Sequence, residues 1–427
     1  MPPPGASFGA LRYRNFRLFI VGQFVSLCGS WMQLVALGWL ALVLSNSAFK
    51  VGLVTALGAL PVLLFTLYGG VVADRVNKRR ALILLESLLL VEALALGFLT
   101  AFHAITVPWV YALSFLGGLV SAFEIPTRQS FQVELVGKSD LMNAIALNSS
   151  AFNLSRVVGP AIAGTLIATA GSAVCFFLNA ASFLAVLIGL VMIRPDPALV
   201  PLQPGRRISL REGVAHVFGS RWPRALVLLA AVLSVFGASF IAILPVYARD
   251  VLHTGAGGYG AVLAAFGLGA AAGALSIAAV GHRFRREPTA LLAGVALGGA
   301  LVGLGLLHHL AVALALAVAA GLSMALGSIM TNTLLQTESP DHLRGQVMGF
   351  YSFIVVGMGP FGSLQAGWIS EHAGTPTAVL LGGSVCLMTA AWTAWRMLRR
   401  STVNGQQSTG TAPPPPIPAR EAGSVDR

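Results

Sequence analysis

Four ionisable residues fall inside long apolar stretches of this chain: Glu86, Glu92, Glu124 and Arg156. Placing such a side chain in a bilayer core costs at least about 2.5–3.5 kcal/mol on insertion scales, so each is a candidate for chemistry. A buried carboxylate that exchanges an ion pair for a proton is the chemistry of proton coupling. Glu92 lies deeper in its stretch than Glu86, and the six residues between them turn a helix by about 240°, so the two do not share a face. Glu92 reads either as a proton-coupling acid or as a buried structural partner. Glu124 is followed by Arg128 at the i+4 spacing at which helical side chains meet, with Pro126 between them to disturb the geometry. That couple reads as a gating or proton-linked pair, or as a snorkelling surface pair.

Asn148, Ser149, Asn153, Arg156 and Pro160 recur at spacings of three to five and draw a polar stripe along one apolar helix. Lipid cannot satisfy such a stripe, so it must face protein or water. Arg156 needs a partner, with Glu124 the first candidate and Glu92 the second. Gly159-Pro160 and Gly164 favour a bend or a tight helix contact, because Gly permits close approach and Pro removes a backbone donor. Gln23, Gln33 and Gln365 either hydrogen-bond substrate or bind helix to helix, and we assign Gln23, Asn148 and Asn153 to a substrate cavity. His103, His308 and His309 fall in solvated turns. The sequence offers no metal-ligand spacing, nucleophile elbow or phosphate loop, which argues against an enzyme, a bound metal or cofactor, and ATP drive.

The elements that hold these residues follow from composition. Of 427 residues, 56% are apolar and only 10% charged, against about 25% charged in soluble domains, and the mean hydropathy is +0.80. Apolar runs broken by Gly, Pro or charge predict spans at 18–44, 51–73, 81–102, 108–130, 141–170 and 173–193. A second set is expected at 225–248, 258–281, 289–307, 310–335, 345–370 and 376–397. The chain is therefore an all-α polytopic membrane protein with twelve transmembrane helices. Of its 27 Lys and Arg residues, all but Lys50, Arg249 and the in-span Arg156 fall on the side of the termini, which places both termini in the cytoplasm. That bias accounts for the net charge of +12 without nucleic acid. Cys28, Cys175 and Cys386 lie in apolar runs and suggest no disulfide. No cleavable signal peptide is visible.

The polar, Pro-rich stretch 194–224 divides the chain into two six-helix bundles, 1–193 and 225–400, and a Pro-rich tail, 401–427, reads as disordered and cytoplasmic. The halves echo each other. "FQVELVGKSDLMNA" after the fourth span parallels "LQTESPDHLRGQ" after the tenth, and Gly159-Pro160 parallels Gly359-Pro360. "ADRVNKRR" (73–80) parallels "AVGHRFRR" (279–286) more weakly. Repeated halves suit alternating access around a site between them.

"GVVADRVNKRR", with Gly70, Ala73, Asp74, Arg75, Lys78, Arg79 and Arg80, resembles the loop signature between spans two and three of the major facilitator superfamily. "EIPTRQSFQVELV" with "NAIALNSSAFNLSRVVGPAIAG" is similar to the branch of drug:proton antiporters that includes macrolide and siderophore exporters. The sequence departs from that pattern at Asn77, usually Gly, at Ser114, where many relatives carry Arg, and at Val280, opposite Asp74. The resemblance implies that Asp74 sits at the N-terminus of the eleventh helix near Gly345, and that Arg75 and Arg79 pair with acids ending the fourth span, Glu134 nearest. Together with Gly70 and Arg80 these would form a cytoplasmic latch between the halves. It also implies that Gly159, Pro160 and Gly164 are an antiporter-like motif.

The expectation is a monomeric secondary transporter in the plasma membrane, the inner membrane of a bacterium. It would exchange protons for small amphipathic compounds such as drugs or siderophores, and export them. A lipid or lysolipid flippase on the same fold is the alternative, and a non-transporting sensor or assembly protein a third reading.

Overall fold

The computed structural model describes residues 9–137, 140–194, 210–340 and 343–409. Among them, twelve helices are long and apolar enough to cross a bilayer. They are α1 (Arg14–Ser45), α2 (Ala48–Ala73), α3 (Lys78–Ala101), α4 (Val107–Val136), α5 (Leu141–Ala170), α6 (Ser172–Met192), α7 (Trp222–Val251), α8 (Gly255–Val280), α9 (Arg286–Leu306), α10 (Leu310–Glu338), α11 (Arg344–Ala373) and α12 (Thr375–Arg396). Both ends of the set lie on one face of the bundle, the terminal face, and the opposite end is the far face.

The sequence-derived spans match these helices closely. The largest difference is the end of α4, expected at 130 and found at Val136. The added turns carry Phe131, Leu135 and Val136, which are buried, and Phe131 packs edge-on against Phe19 of α1 at 5.8 Å between ring centroids. The last helix runs on to Thr409, past residue 400, where the tail was expected to begin; 410–427 lie outside the described residues. The linker contributes a short helix, Leu210–Gly219, and its 195–209 stretch is likewise outside them.

Local chemistry sets the boundaries. Ser47 and Asn77 cap α2 and α3, their side-chain oxygens accepting from the backbone N–H of Lys50 (3.2 Å) and Arg80 (3.0 Å). Single-residue turns join α5 to α6 at Gly171 (φ 83°) and α11 to α12 at Gly374 (φ 88°), a left-handed backbone that glycine adopts without a Cβ penalty. These turns occupy corresponding places in the two halves. The halves differ at their Gly-Pro pairs. Pro160 sits inside a continuous α5, whereas α11 is interrupted at Met358 just before Gly359-Pro360.

Packing decides how the halves meet. One buried apolar cluster crosses between them at the far face, joining Val35, Leu42, Val51 and Ala163 to Leu244, Tyr259, Leu263 and Ala366. At the terminal face there are two separate clusters. One contains only first-half residues, including Phe16, Leu82, Leu135 and Leu190. The other contains only second-half residues, including Trp222, Leu226, Leu334 and Tyr351. Among the described residues, the apolar core joins the bundles at the far face and is divided between them at the terminal face.

Candidate functional site

Glu92 of α3 is 7% exposed and is reached from α1. Gln33 Nε2 donates to both of its carboxylate oxygens, at 2.9 and 3.2 Å. The Gln33 carbonyl in turn accepts from Asn179 Nδ2 of α6 at 2.7 Å, and Asn179 Oδ1 accepts from Ser182 Oγ at 3.0 Å. The result is a buried hydrogen-bonded line from α3 through α1 to α6. Gly29 makes room for it, since a Cβ there would overlap Asn179 Oδ1 and Ser182 Oγ. Of the two readings of Gln33, the structure shows helix-to-helix bonding. Asn179 and Ser182 went unremarked in the sequence; their signal was two polar residues three apart in an otherwise apolar helix.

Glu124 pairs with Arg128, Oε1 to Nε at 3.1 Å, so Pro126 does not disturb the i+4 contact. Glu86, 3% exposed, lies within electrostatic range of both Glu124 and Arg128. Among the described residues the Arg128 guanidinium is paired with Glu124; Glu86 on α3 is a second buried carboxylate, and its Oε2 has no hydrogen-bond partner.

Arg156 does not take the partner expected of it. Among the described residues it makes no ion pair; Glu124 is engaged by Arg128 and Glu92 by Gln33. Instead its guanidinium lies 4.8 Å from the ring centre of Phe266 on α8 and 5.6 Å from that of Trp31 on α1, a cation held by two aromatic faces. Its Nε is buried without a hydrogen bond. Trp31 and Gln33 are two residues apart, about 200° around α1, so α1 carries the Arg156 contact on one side and the Glu92 contact on the other. Along the stripe, Asn148 and Asn153 are half-buried and Ser149 exposed, with Asn153 donating to the Ser149 carbonyl at 2.8 Å. Gln23, assigned to the cavity from sequence, is 2% exposed and presents nothing to the opening between the halves in this conformation. Its Oε1 is buried and unbonded.

Pro160 and Gly164 of the motif lie against α8 on the first of two seams between the halves, whereas Gly159 packs within the first half. A Cβ at Gly159 would come within 2.8 Å of the Cys28 carbonyl on α1. One at Gly164 would come within 2.9 Å of Gly260 Cα on α8. The second seam runs between α2 and α11, where a Cβ at Gly367 would stand 2.9 Å from the Ala48 carbonyl. Both seams lie toward the far face.

At the terminal face the loop after α2 makes no hydrogen bond or ion pair with the other half among the described residues. Asp74, Arg75 and Arg80 are exposed, and a Cβ added at Gly70 or at Gly345 would meet nothing within 4 Å. Glu134 is held by Lys78, at 2.6 Å, rather than by Arg75 or Arg79. α3 begins at Lys78, which faces the end of α4. Arg79, about 100° further round, donates instead to the carbonyls of Leu190 (2.7 Å) and Val191 (2.8 Å) at the C-terminus of α6, where a cation is favoured. A cavity of about 500 Å³ beneath this loop is lined by first-half residues and by Arg194 at the start of the linker.

Comparison with known proteins matches this arrangement to transporters. A family model described as a transmembrane secretion effector covers residues 5–422. The multidrug efflux pump Tap of Mycolicibacterium fortuitum is 28% identical over 81% of this chain and 87% of its own length. The staphyloferrin A transporter of Staphylococcus aureus is 24% identical over 82% of the chain and 87% of its length. The enterobactin exporter EntS of Escherichia coli is 27% identical over 79% and 80%. Among solved structures, the nucleoside transporter NupG superimposes with a TM-score of 0.75 at 11% identity, covering 89% of this chain and 98% of that one. A bacterial homolog of the human lysosomal transporter Spinster gives 0.71 at 15% identity, covering 89% and 96%. At these identities the solved structures speak for a shared fold.

Proposed function

The chain belongs to the transmembrane secretion effector family of the major facilitator superfamily, multi-pass transporters of the bacterial inner membrane, and from that premise we propose that it exports small amphipathic compounds in exchange for protons. The observation that carries the proton is Glu92. It is a carboxylate buried within the span region whose partner is a neutral amide, so protonating it breaks no ion pair. Glu124, held by Arg128, is the second candidate, and Arg128 its gate partner. The direction of transport rests on the named activities of two relatives, a multidrug efflux pump and an enterobactin exporter.

With the terminal face taken as cytoplasmic on the Lys and Arg bias, this arrangement would be the loading state, closed outside and open inside. Cargo would enter between α5 and its neighbours, past Asn148, Asn153 and Arg156. Protonation and cargo release would bias the halves between the two arrangements, since a ligand shifts an equilibrium by its differential affinity for the states. The α2–α3 loop, with Gly70, Asp74, Arg75, Arg79 and Arg80, would close as the latch in the opposite state.

The test is uptake of drugs and siderophores into inverted vesicles under an imposed pH gradient. Gradient-driven uptake that Glu92→Gln or Glu124→Gln abolishes supports the scheme. Uptake unchanged in both variants refutes the coupling assignment, and transport of lipid that ignores the gradient favours a flippase.

A further inference from the structure

The N-terminus of α2 is capped by the other half of the molecule. Ser47, its own cap, accepts from the Lys50 N–H, and the Phe49 N–H donates to Glu371 Oε2 of α11 at 3.2 Å. The first turn of α2 contains no acidic residue of its own, and Lys50 in that turn is of the wrong sign for the positive end of a helix dipole. Glu371 supplies the missing negative charge from across the α2–α11 seam. It does so from the last turn of its own helix, where a carboxylate is disfavoured, so its position suits α2 rather than α11.

The opposite end of the same helix pair has the same parts in the opposite state. Asp74 sits at the C-terminus of α2, again the disfavoured end, and is exposed. The N-terminus of α11 has no side-chain cap from Leu343, has no acid in its first turn and opens with Arg344. α2 and α11 run antiparallel, so each carries an acid at its C-terminus that can serve the N-terminus of the other. At the far face that contact is made, and at the terminal face it is open. The far-face surroundings leave Glu371 available for it. The cavity of about 590 Å³ that it lines also holds Arg249, Asp250, His253 and His308; Arg249 is already paired with Asp250, and His308 is bonded to the Gly305 carbonyl at 3.0 Å.

We infer that Glu371 is a positioning residue of the outer gate, which holds the far face closed by capping α2, and that it alternates with Asp74, which caps α11 when the far face opens. The inference rests on the alternating-access reading and on the Asp74 latch, and it assigns Glu371 the complementary half of the cycle. Exchanging one cap for another keeps the two states close in energy, as a transporter that must visit both requires.

The experiment uses the full chain in lipid nanodiscs, with Cys28, Cys175 and Cys386 replaced by Ala. Spin labels go on Ala104→Cys and His309→Cys, exposed turn residues of opposite halves at the far face. Glu371→Ala is expected to raise the ratio of long to short distances by on the order of fivefold, the scale of a charge at a helix terminus. Glu371→Gln, which keeps the shape and an acceptor oxygen, is expected to shift it less in the same direction. Adding Asp74→Ala to Glu371→Ala should bring the ratio back down. An unchanged ratio in both Glu371 variants overturns the inference, as does a further rise on adding Asp74→Ala. Efflux measured in parallel separates the two readings. Active transport with a silent Glu371 sinks this inference alone, whereas no transport of any compound sinks the proposed function.

Discussion

Gly260→Val on α8 tests whether the α5–α8 seam is a contact made and broken during transport. In the structure a Cβ at Gly260 would stand 2.6 Å from Gly164 Cα and 2.9 Å from its nitrogen, where unstrained carbon contacts lie at about 3.5–4.0 Å. The helices must therefore part by about 1 Å at that level. Overpacking of this kind costs about 1–3 kcal/mol. It falls only on the state in which the seam is closed, because the parted helices leave room for the side chain. The ratio of seam-closed to seam-open molecules should drop by between about five- and 150-fold. The far-face label pair described above reads that ratio directly, and proteoliposome efflux is expected to fall by roughly tenfold as the loading state becomes scarce. Gly299→Val on α9 is the control, since nothing lies within 4 Å of a Cβ there. Wild-type efflux and an unaltered distance distribution in Gly260→Val would refute the reasoning, because the seam would then not be a moving contact.

Three further outcomes follow from individual contacts. Gln33→Leu strips Glu92 and Asn179 of their shared partner, and leaving buried polar groups unpaired should destabilise the protein by about 1–3 kcal/mol, read as earlier thermal unfolding in detergent. Arg156→Lys keeps the charge but loses the planar face presented to Trp31 and Phe266; because Arg and Lys are not interchangeable at a stacked site, transport should fall while expression and folding hold, and equal transport would reassign Arg156 to packing. Gly171→Ala and Gly374→Ala place a side chain in left-handed backbone. Each should lower stability by about 1 kcal/mol, with the two effects adding because the turns are in different halves.

The sequence by itself determined the number of helices, their bounds to within a few residues, the repeat of the halves and the identity of the buried charges. Those features are local. A bilayer span is a matter of about twenty apolar residues, and a charge inside one is visible without knowing its neighbours. Partners were not legible, because they depend on which faces of separate helices are brought together. Arg156 was expected to find a glutamate and meets two aromatic rings instead. Glu134 was expected to take Arg75 or Arg79 and takes Lys78, because the start of α3 fixes which base faces α4. Glu371 drew no attention as an ordinary acid at a helix end, and only the seam between α2 and α11 gives it a donor. The conformational state was also beyond the sequence. One apolar cluster joins the halves at the far face and two separate ones sit at the terminal face, an outcome of packing between elements distant in the chain that no local pattern encodes.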